Sequence, residues 1–500
     1  DPVDKGVYQS INPATGEVIA EVAVGTDKDI DIAVAAARRA WKSGVWSRLA
    51  PRNRMDVLLR FSALVEDHTA DFALLDSMEM GKPVSSMTGF DVPSAVANLR
   101  FSAEAIDKIE GAVTNTTPEV LHYVLRQPLG VVGLIVPWNY PMMMACWKLG
   151  PALAMGNSVV LKPAQQTSLS ALLLARLFSE AGGPDGVFSV VPGAGSVAGQ
   201  ALARHMDVDK IGFTGSTATG KRIAAGSAEG LKRVTLELGG NDPAIVLEDV
   251  DVRETAKAIF GNAFLNAGQV CLAVKRAYVH ADIYDAMCAE LATLAQAAIV
   301  GDGLEQGTQI GPIQNAAQYE KVKGFLDAAR ADGTIVAGGQ AIERAGYFIA
   351  PTIVRDVTDG MKIVDEEQFG PILPVIKFDD VEDVVARANA SDYGLGGSVW
   401  SANVERAAAE QRLAFLLGHM FRRGGIVRLV LIDSEDVRAH AAEIVLLHRS
   451  PLMPPRALPV RSAAGHRRDT HQRVVLSEAG VSFAVINRPA LAIRLVAYDS

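Results

Sequence analysis

Four short apolar runs, residues 130–136, 158–162, 187–191 and 210–213, alternate with stretches of helical periodicity near 145–155, 168–181 and 194–205. Runs that stay apolar throughout, instead of alternating with polar residues, belong to strands buried on both faces. Strands separated by helices cannot pair as hairpins and must return by crossovers. This segment is therefore confined to a parallel sheet covered by helices, an α/β fold of the nucleotide-binding kind. Upstream, apolar residues at three- and four-residue spacing predict helices over 30–41, 52–68 and 70–80, and a turn at 12–16 precedes a short strand at 18–22. A chain of 500 residues exceeds one ordinary domain, so two or three lobes are expected.

The candidate chemistry lies further on. Cys271 follows a Gly268-Gln269 turn in apolar surroundings, and Glu237 stands thirty-four residues earlier in Val234-Thr235-Leu236-Glu237-Leu238. A thiolate is the strongest ordinary side-chain nucleophile, and a carboxyl among apolar neighbours has its pKa raised until it acts as a base near neutrality. Taken singly, each has a plainer reading: most free cysteines simply pack, and a lone acid can pair with a buried donor. Together they point to covalent attack on a carbonyl followed by hydrolysis. The net charge of −9 argues against a nucleic-acid footprint. No run is long enough for a membrane span, and the first residues lack the pattern of a signal peptide. Three cysteines, Cys146, Cys271 and Cys288, make no disulfide framework and no zinc spacing, which suits a reducing cytoplasm.

The segments Leu236-Glu237-Leu238-Gly239-Gly240 and Phe264-Leu265-Asn266-Ala267-Gly268-Gln269-Val270-Cys271-Leu272-Ala273 resemble the active-site signatures of the NAD(P)-dependent aldehyde dehydrogenase superfamily. Two further segments are similar to family elements: Phe213-Thr214-Gly215-Ser216, and Glu366-Glu367-Gln368-Phe369-Gly370-Pro371. The resemblance implies oxidation of an aldehyde to its acid through a Cys271 thiohemiacetal and thioester. In that scheme Asn139 is an oxyanion donor and Glu237 the base for water. For the cofactor it implies Lys162 at the adenosine ribose, Gly193 beside the adenosine, Gly215 and Ser216 at the pyrophosphate, Trp138 nearby, and Glu367 and Phe369 at the nicotinamide end. Gln165 stands where NAD-preferring relatives place a Glu, so NAD is the expected cofactor with NADP tolerated. Tyr140, Met144, Trp147, Val270 and Leu272 are candidates for the walls of a substrate tunnel suited to a neutral aldehyde, although apolar residues at such spacing more often form core.

By resemblance, residues 1–110 and 128–238 form the NAD(P)-binding domain, 111–127 an oligomerisation arm and 239–410 the catalytic domain. Relatives assemble as homo-oligomers through that arm and a final strand. Beyond about residue 410 the resemblance ends. Residues 1–410 carry 35 bases and 50 acids, whereas 411–500 carry 13 bases, all Arg, and 7 acids, with five of the nine His. The family's Phe-Gly-Gly loop and final inter-subunit strand are not found there. Arg-, Ala-, Pro- and His-rich sequence without Lys is what a GC-rich gene yields out of frame, so a reading-frame slip near 410 is expected. An inactive or misassembled homologue is then the alternative function. Apolar runs at 426–432 and 481–486 have strand character but no assigned place in a sheet.

Overall fold

A computed structural model describes residues 3–403 and 407, together with the backbone of 427–432 and 441–446. The chain divides into two units: the first takes Asp1–Gly239, Ala298–Lys323 and Gln340–Ala350, and the second takes Gly240–Ala297, Gly324–Gly339 and the described residues from Pro351 onward. Two segments inside the 239–410 range that the resemblance assigns to the catalytic domain, Ala298–Lys323 and Gln340–Ala350, thus pack with the first unit. Their contacts are long-range, and periodicity does not report those.

In the first unit, β1 (Val7–Ile11) and β2 (Val18–Ala23) form an antiparallel hairpin. A second hairpin, β3 (Ala112–Thr117) with β4 (Val120–Val124), is exposed along its whole length, and Val113, Leu121 and Tyr123 lie on its surface. The main sheet has five strands: β5 (Val131–Ile135), β6 (Ser158–Lys162), β7 (Phe188–Val190), β8 (Lys210–Thr214) and β9 (Arg233–Glu237). Their spatial order is β7-β6-β5-β8-β9 and every pairing is parallel. The chain builds outward from β5 in one direction and then in the other, so the order reverses beside β5. Open α/β sheets bind ligands at such a reversal, at the carboxyl ends of the strands. The helix Asp27–Ser43 lays Ile30, Val34 and Ala37 against Val131, Ile135, Val160, Ile211 and Phe213, the apolar faces that the sequence predicts. Helix Pro141–Ala154 begins earlier than its periodicity suggests, because Pro141 occupies the first turn, where its missing N–H costs nothing.

The second unit holds an eight-stranded sheet of β10 (Asp242–Val246), β11 (Val274–His280), β12 (Thr334–Ala337), β13 (Thr352–Arg355), β14 (Ile372–Phe378), β15 (Gly397–Trp400), β16 (Val427–Ile432) and β17 (Ala441–Leu446), in the order β12-β13-β14-β11-β10-β15-β16-β17. The six inner strands are parallel and the two outermost pair antiparallel with their neighbours. Of the two apolar runs in the tail, the first becomes β16 and joins the sheet beside β15, a place the sequence did not assign to it. The second, 481–486, lies outside the described residues. Among the described residues no helix is long and apolar enough to cross a membrane.

Candidate active site

All five strands of the first sheet run the same way, so their carboxyl ends share one edge, and the candidates predicted in this unit end these strands or lie in the segments that follow them. Lys162 ends β6, in register with Ile135 at the end of β5. Trp138, Asn139 and Tyr140 follow β5 and lead into helix Pro141–Ala154, which carries Met144 and Trp147. Gly193 follows β7, Gly215 and Ser216 follow β8, and Glu237 ends β9 in register with Thr214.

The local geometry suits an anionic, polyhydroxylated ligand. Ser216 caps helix Thr217–Ala228 by accepting from the Thr219 N–H at 3.3 Å, which leaves the first turn's amides and the positive end of the dipole at the strand edge. Gly193 has φ +153°, and a side chain there would meet the Gly25 carbonyl. Only glycine lets this turn approach so closely. Lys162 is 3% exposed, and among the described residues its ammonium has no hydrogen-bond or ion-pair partner. Burial alone lowers its pKa to about 8. A solvated strand-end lysine was the plainer expectation. The buried ammonium instead calls for acceptors from outside the chain. Gln165 is half-buried three residues beyond it.

Asn139 is buried at the mouth of helix Pro141–Ala154. The turn that carries it is anchored from below: Asp76 accepts from the Met142 N–H at 3.2 Å, and the Lys82 ammonium lies 3.2 Å from the centre of the Tyr140 ring. Tyr140 and Met144 are buried, whereas Trp147 is half-buried. Burial raises the Glu237 carboxyl above its ordinary range, opposed by the charge of Lys148.

In the second unit the candidates gather at the opposite ends of strands. Gly240 precedes β10, Cys271 precedes β11, and the segment from Glu367 to Pro371 precedes β14. The cysteine turn is strained: Asn266 and Ala267 adopt left-handed φ of 53° and 56°, and Gly268 follows at 72°. Non-glycine residues seldom adopt such values, and they persist where packing over-determines them. Buried Gln269 holds the turn, its Nε2 donating to the Asn266 carbonyl at 3.0 Å. A side chain at Gly268 would strike the Gly370 carbonyl, so the cysteine turn rests on the Phe369–Pro371 backbone, where Phe369 also has φ +52°. Cys271 and Leu272 are half-buried, and Val270 is buried. The other two thiols, Cys146 and Cys288, are buried, and burial pushes both pKa values up, that of Cys288 to about 11.

Sequence reasoning missed Lys275, the second residue of β11. Its side chain is 4% exposed and it donates to the Cys271 carbonyl at 2.9 Å, to the Gly240 carbonyl at 3.0 Å and to Glu367 Oε1 at 3.2 Å. Two adjacent cations, Lys275 and Arg276, in a strand that is buried almost throughout were the available signal.

A parallel sheet whose strand order reverses at β5 defines an α/β protein of the nucleotide-binding kind. The profile of the Aldehyde dehydrogenase family matches residues 2–413. The chain is 43% identical over 402 residues to an aminoacetaldehyde dehydrogenase of Pseudomonas aeruginosa, covering 80% of this chain and 81% of that one. It is 43% identical over 414 residues to a mitochondrial benzaldehyde dehydrogenase of Antirrhinum majus, covering 82% and 78%. Among solved structures, the NAD+ complex of an aldehyde dehydrogenase from Bacillus cereus superposes with a TM-score of 0.83 at 39% identity, over 89% of this chain and 88% of the other. The chain belongs to the aldehyde dehydrogenase family, the NAD(P)-dependent oxidoreductases that act on the aldehyde group.

Proposed function

We propose that the protein oxidises a neutral aldehyde to its carboxylic acid by way of a thioester on Cys271, with NAD as cofactor and NADP tolerated. One observation carries this reading: of three thiols, two are buried with raised pKa values, and Cys271 alone is half-exposed, on a strained turn. The Cys271 thiolate adds to the aldehyde carbon, and the Asn139 amide donates to the oxygen as it gains charge. A donor of this kind contributes about 3 kcal/mol to the transition state. When bound, NAD supplies the hydride acceptor that turns the tetrahedral adduct into a thioester. Glu237 takes a proton from water, the water oxygen bonds to the acyl carbon, and the Cys271 thiolate departs.

The cofactor roles rest on fit. Lys162 offers a buried, unsatisfied ammonium to ribose hydroxyls, Ser216 and Gly215 offer a helix start to a pyrophosphate, and Gly193 allows close approach. Glu367 and Phe369 are assigned to the nicotinamide end, and Trp138 to the cofactor nearby. Gln165 is neutral where a Glu would repel a 2′-phosphate. The apolar set Tyr140, Met144, Trp147, Val270 and Leu272 favours an uncharged substrate. The exposed β3–β4 hairpin corresponds to the arm through which relatives oligomerise, although the altered tail speaks against the same assembly here, and cysteines that form no disulfide suit the cytoplasm.

The test is NAD(P)H formation by purified protein across a panel including benzaldehyde and hexanal. NAD and NADP are expected to give catalytic efficiencies within about tenfold of each other, because a lost charge repulsion is a modest discriminator. Cys271→Ala should abolish turnover and leave NAD binding intact. Steady turnover by that variant removes the thioester route, and an NAD preference above about a hundredfold removes the Gln165 argument. A second reading, an inactive or misassembled homologue, is favoured by the changed composition after residue 410 and by the end of the family match at 413. The same contrast supports a reading-frame slip near residue 410. Resequencing the coding DNA in independent clones tests it, and an uninterrupted frame overturns it.

A further inference from the structure

We propose that Lys275 is a positioning residue that locks the backbone of the cysteine turn to the Glu367 carboxylate, so that one ammonium sets both the thiol and the group assigned to the nicotinamide end of the cofactor. The inference rests on the function proposed above and adds a residue to it.

A lysine ammonium has three N–H donors and no acceptor. Here it has three acceptors, on three segments that precede adjacent parallel strands: the Gly240 carbonyl before β10, the Cys271 carbonyl before β11, and Glu367 Oε1 before β14. The donor set is saturated. Glu367 Oε1 also accepts from the Gly240 N–H at 3.1 Å, which closes the arrangement into a ring of contacts around a buried charge. A side chain at Gly240 would meet the Cys271 carbonyl, so the two backbone segments are already in close approach where the ammonium bridges them.

Why should a protein bury a lysine there? A buried ion pair adds little to stability on balance, yet losing one partner leaves the other charge stranded, so such a pair fixes geometry more than it stabilises. The positive φ values at Asn266, Ala267 and Phe369 need a restraint of this sort, because few side-chain-bearing residues settle there unaided. Arg276, the next cation, is occupied elsewhere: it donates to the carbonyls of Asn241 and Ala388 and to the Tyr278 hydroxyl. Asp242, close enough to feel both Lys275 and Glu367, accepts from the Gly396 N–H at 3.0 Å and so ties a fourth strand start to the group.

The experiment is a double-mutant cycle of Lys275→Met and Glu367→Gln, read in two ways on the full-length protein. The first readout, alkylation of Cys271 by iodoacetamide without cofactor, needs no turnover. Lys275→Met is expected to slow it at least about threefold, and the double variant to be no slower than the worse single one, as expected for groups acting through each other. The second readout is NADH binding by fluorescence and the split between KM and kcat: Lys275→Met should weaken NADH binding at least about tenfold and raise KM for NAD, with non-additive effects in the cycle. Additive losses, or alkylation and NADH binding unchanged in folded Lys275→Met, overturn the lock. If Lys275→Met does not fold, Glu367→Gln alone decides: alkylation slowed at least about threefold upholds the coupling, and an unchanged rate overturns it. A native protein that makes no NAD(P)H but shows this coupling defeats the functional reading and leaves the lock standing.

Discussion

The charge state of Glu237 is the residue-scale feature with the most direct kinetic consequence. Burial raises its pKa, with Lys148 opposing, and only the ionised carboxylate can take a proton from water. Thioester hydrolysis should therefore fall as pH drops through that raised pKa, at a pH above the ordinary carboxylate range. Glu237→Gln should remove this limb and slow deacylation about 10²–10⁴-fold, so that acyl-enzyme accumulates after a burst of one NADH per site. Rapid-mixing absorbance and mass spectrometry of quenched protein follow both; a Gln variant with native steady turnover would assign the base to another group. The three thiols make the converse point. Burial pushes the Cys146 and Cys288 thiols up, whereas Cys271 sits half-exposed on its turn, so alkylation should select Cys271.

At the scale of elements, helix Leu169–Glu180 shows how a buried acid can anchor a cofactor-side loop. Glu79 accepts from the Leu169 N–H at 2.9 Å, the Ser168 N–H at 3.3 Å and the Ser10 hydroxyl at 2.7 Å, filling the helix start that follows Lys162 and Gln165. Burial outweighs these donors, with Asp76 adding to it, and its pKa rises from 4.5 to about 8. The folded state then binds the proton more tightly than the unfolded chain, so this group's contribution to stability is full below 4.5 and is lost as pH rises towards about 8. Glu79→Gln should flatten the fall of Tm over that window, as measured by thermal unfolding at a series of pH values; an identical slope in both proteins refutes the assignment. The elements themselves were legible in the sequence because period and turn chemistry are local: the run at 158–162 is β6 to the residue, and the candidates Asn139, Lys162, Gly193 and Ser216 end or follow the four strands that pattern alone predicts. Lys275 was not legible, since its value lies in three acceptors brought together by strand order. The strain at Asn266 and Ala267 was equally hidden, because neither residue type demands a positive φ.

For the whole molecule, the open matter is the part of the chain after residue 413, where the family match stops. β16 pairs with β15 over Gly397–Leu429 to Trp400–Ile432 and carries β17 on its other side. Such pairing is made by backbone N–H and C=O groups, so a segment of any origin that is rich in β-formers can supply it. This reconciles a tail of changed composition with a sheet that continues into it. Without that strand, β15 would present a row of unpaired backbone groups, the usual starting point for edge-to-edge association. A chain truncated after residue 413 should therefore unfold at a Tm lower by several degrees, since each 1 kcal/mol lost shifts Tm by about 2–4 °C in a domain of this size, and should aggregate on concentration. Thermal unfolding and light scattering of the two chains side by side decide it. Equal Tm with a monodisperse truncated protein would mean that β15 needs no partner, and that the activity of residues 1–413 stands or falls on the two units alone.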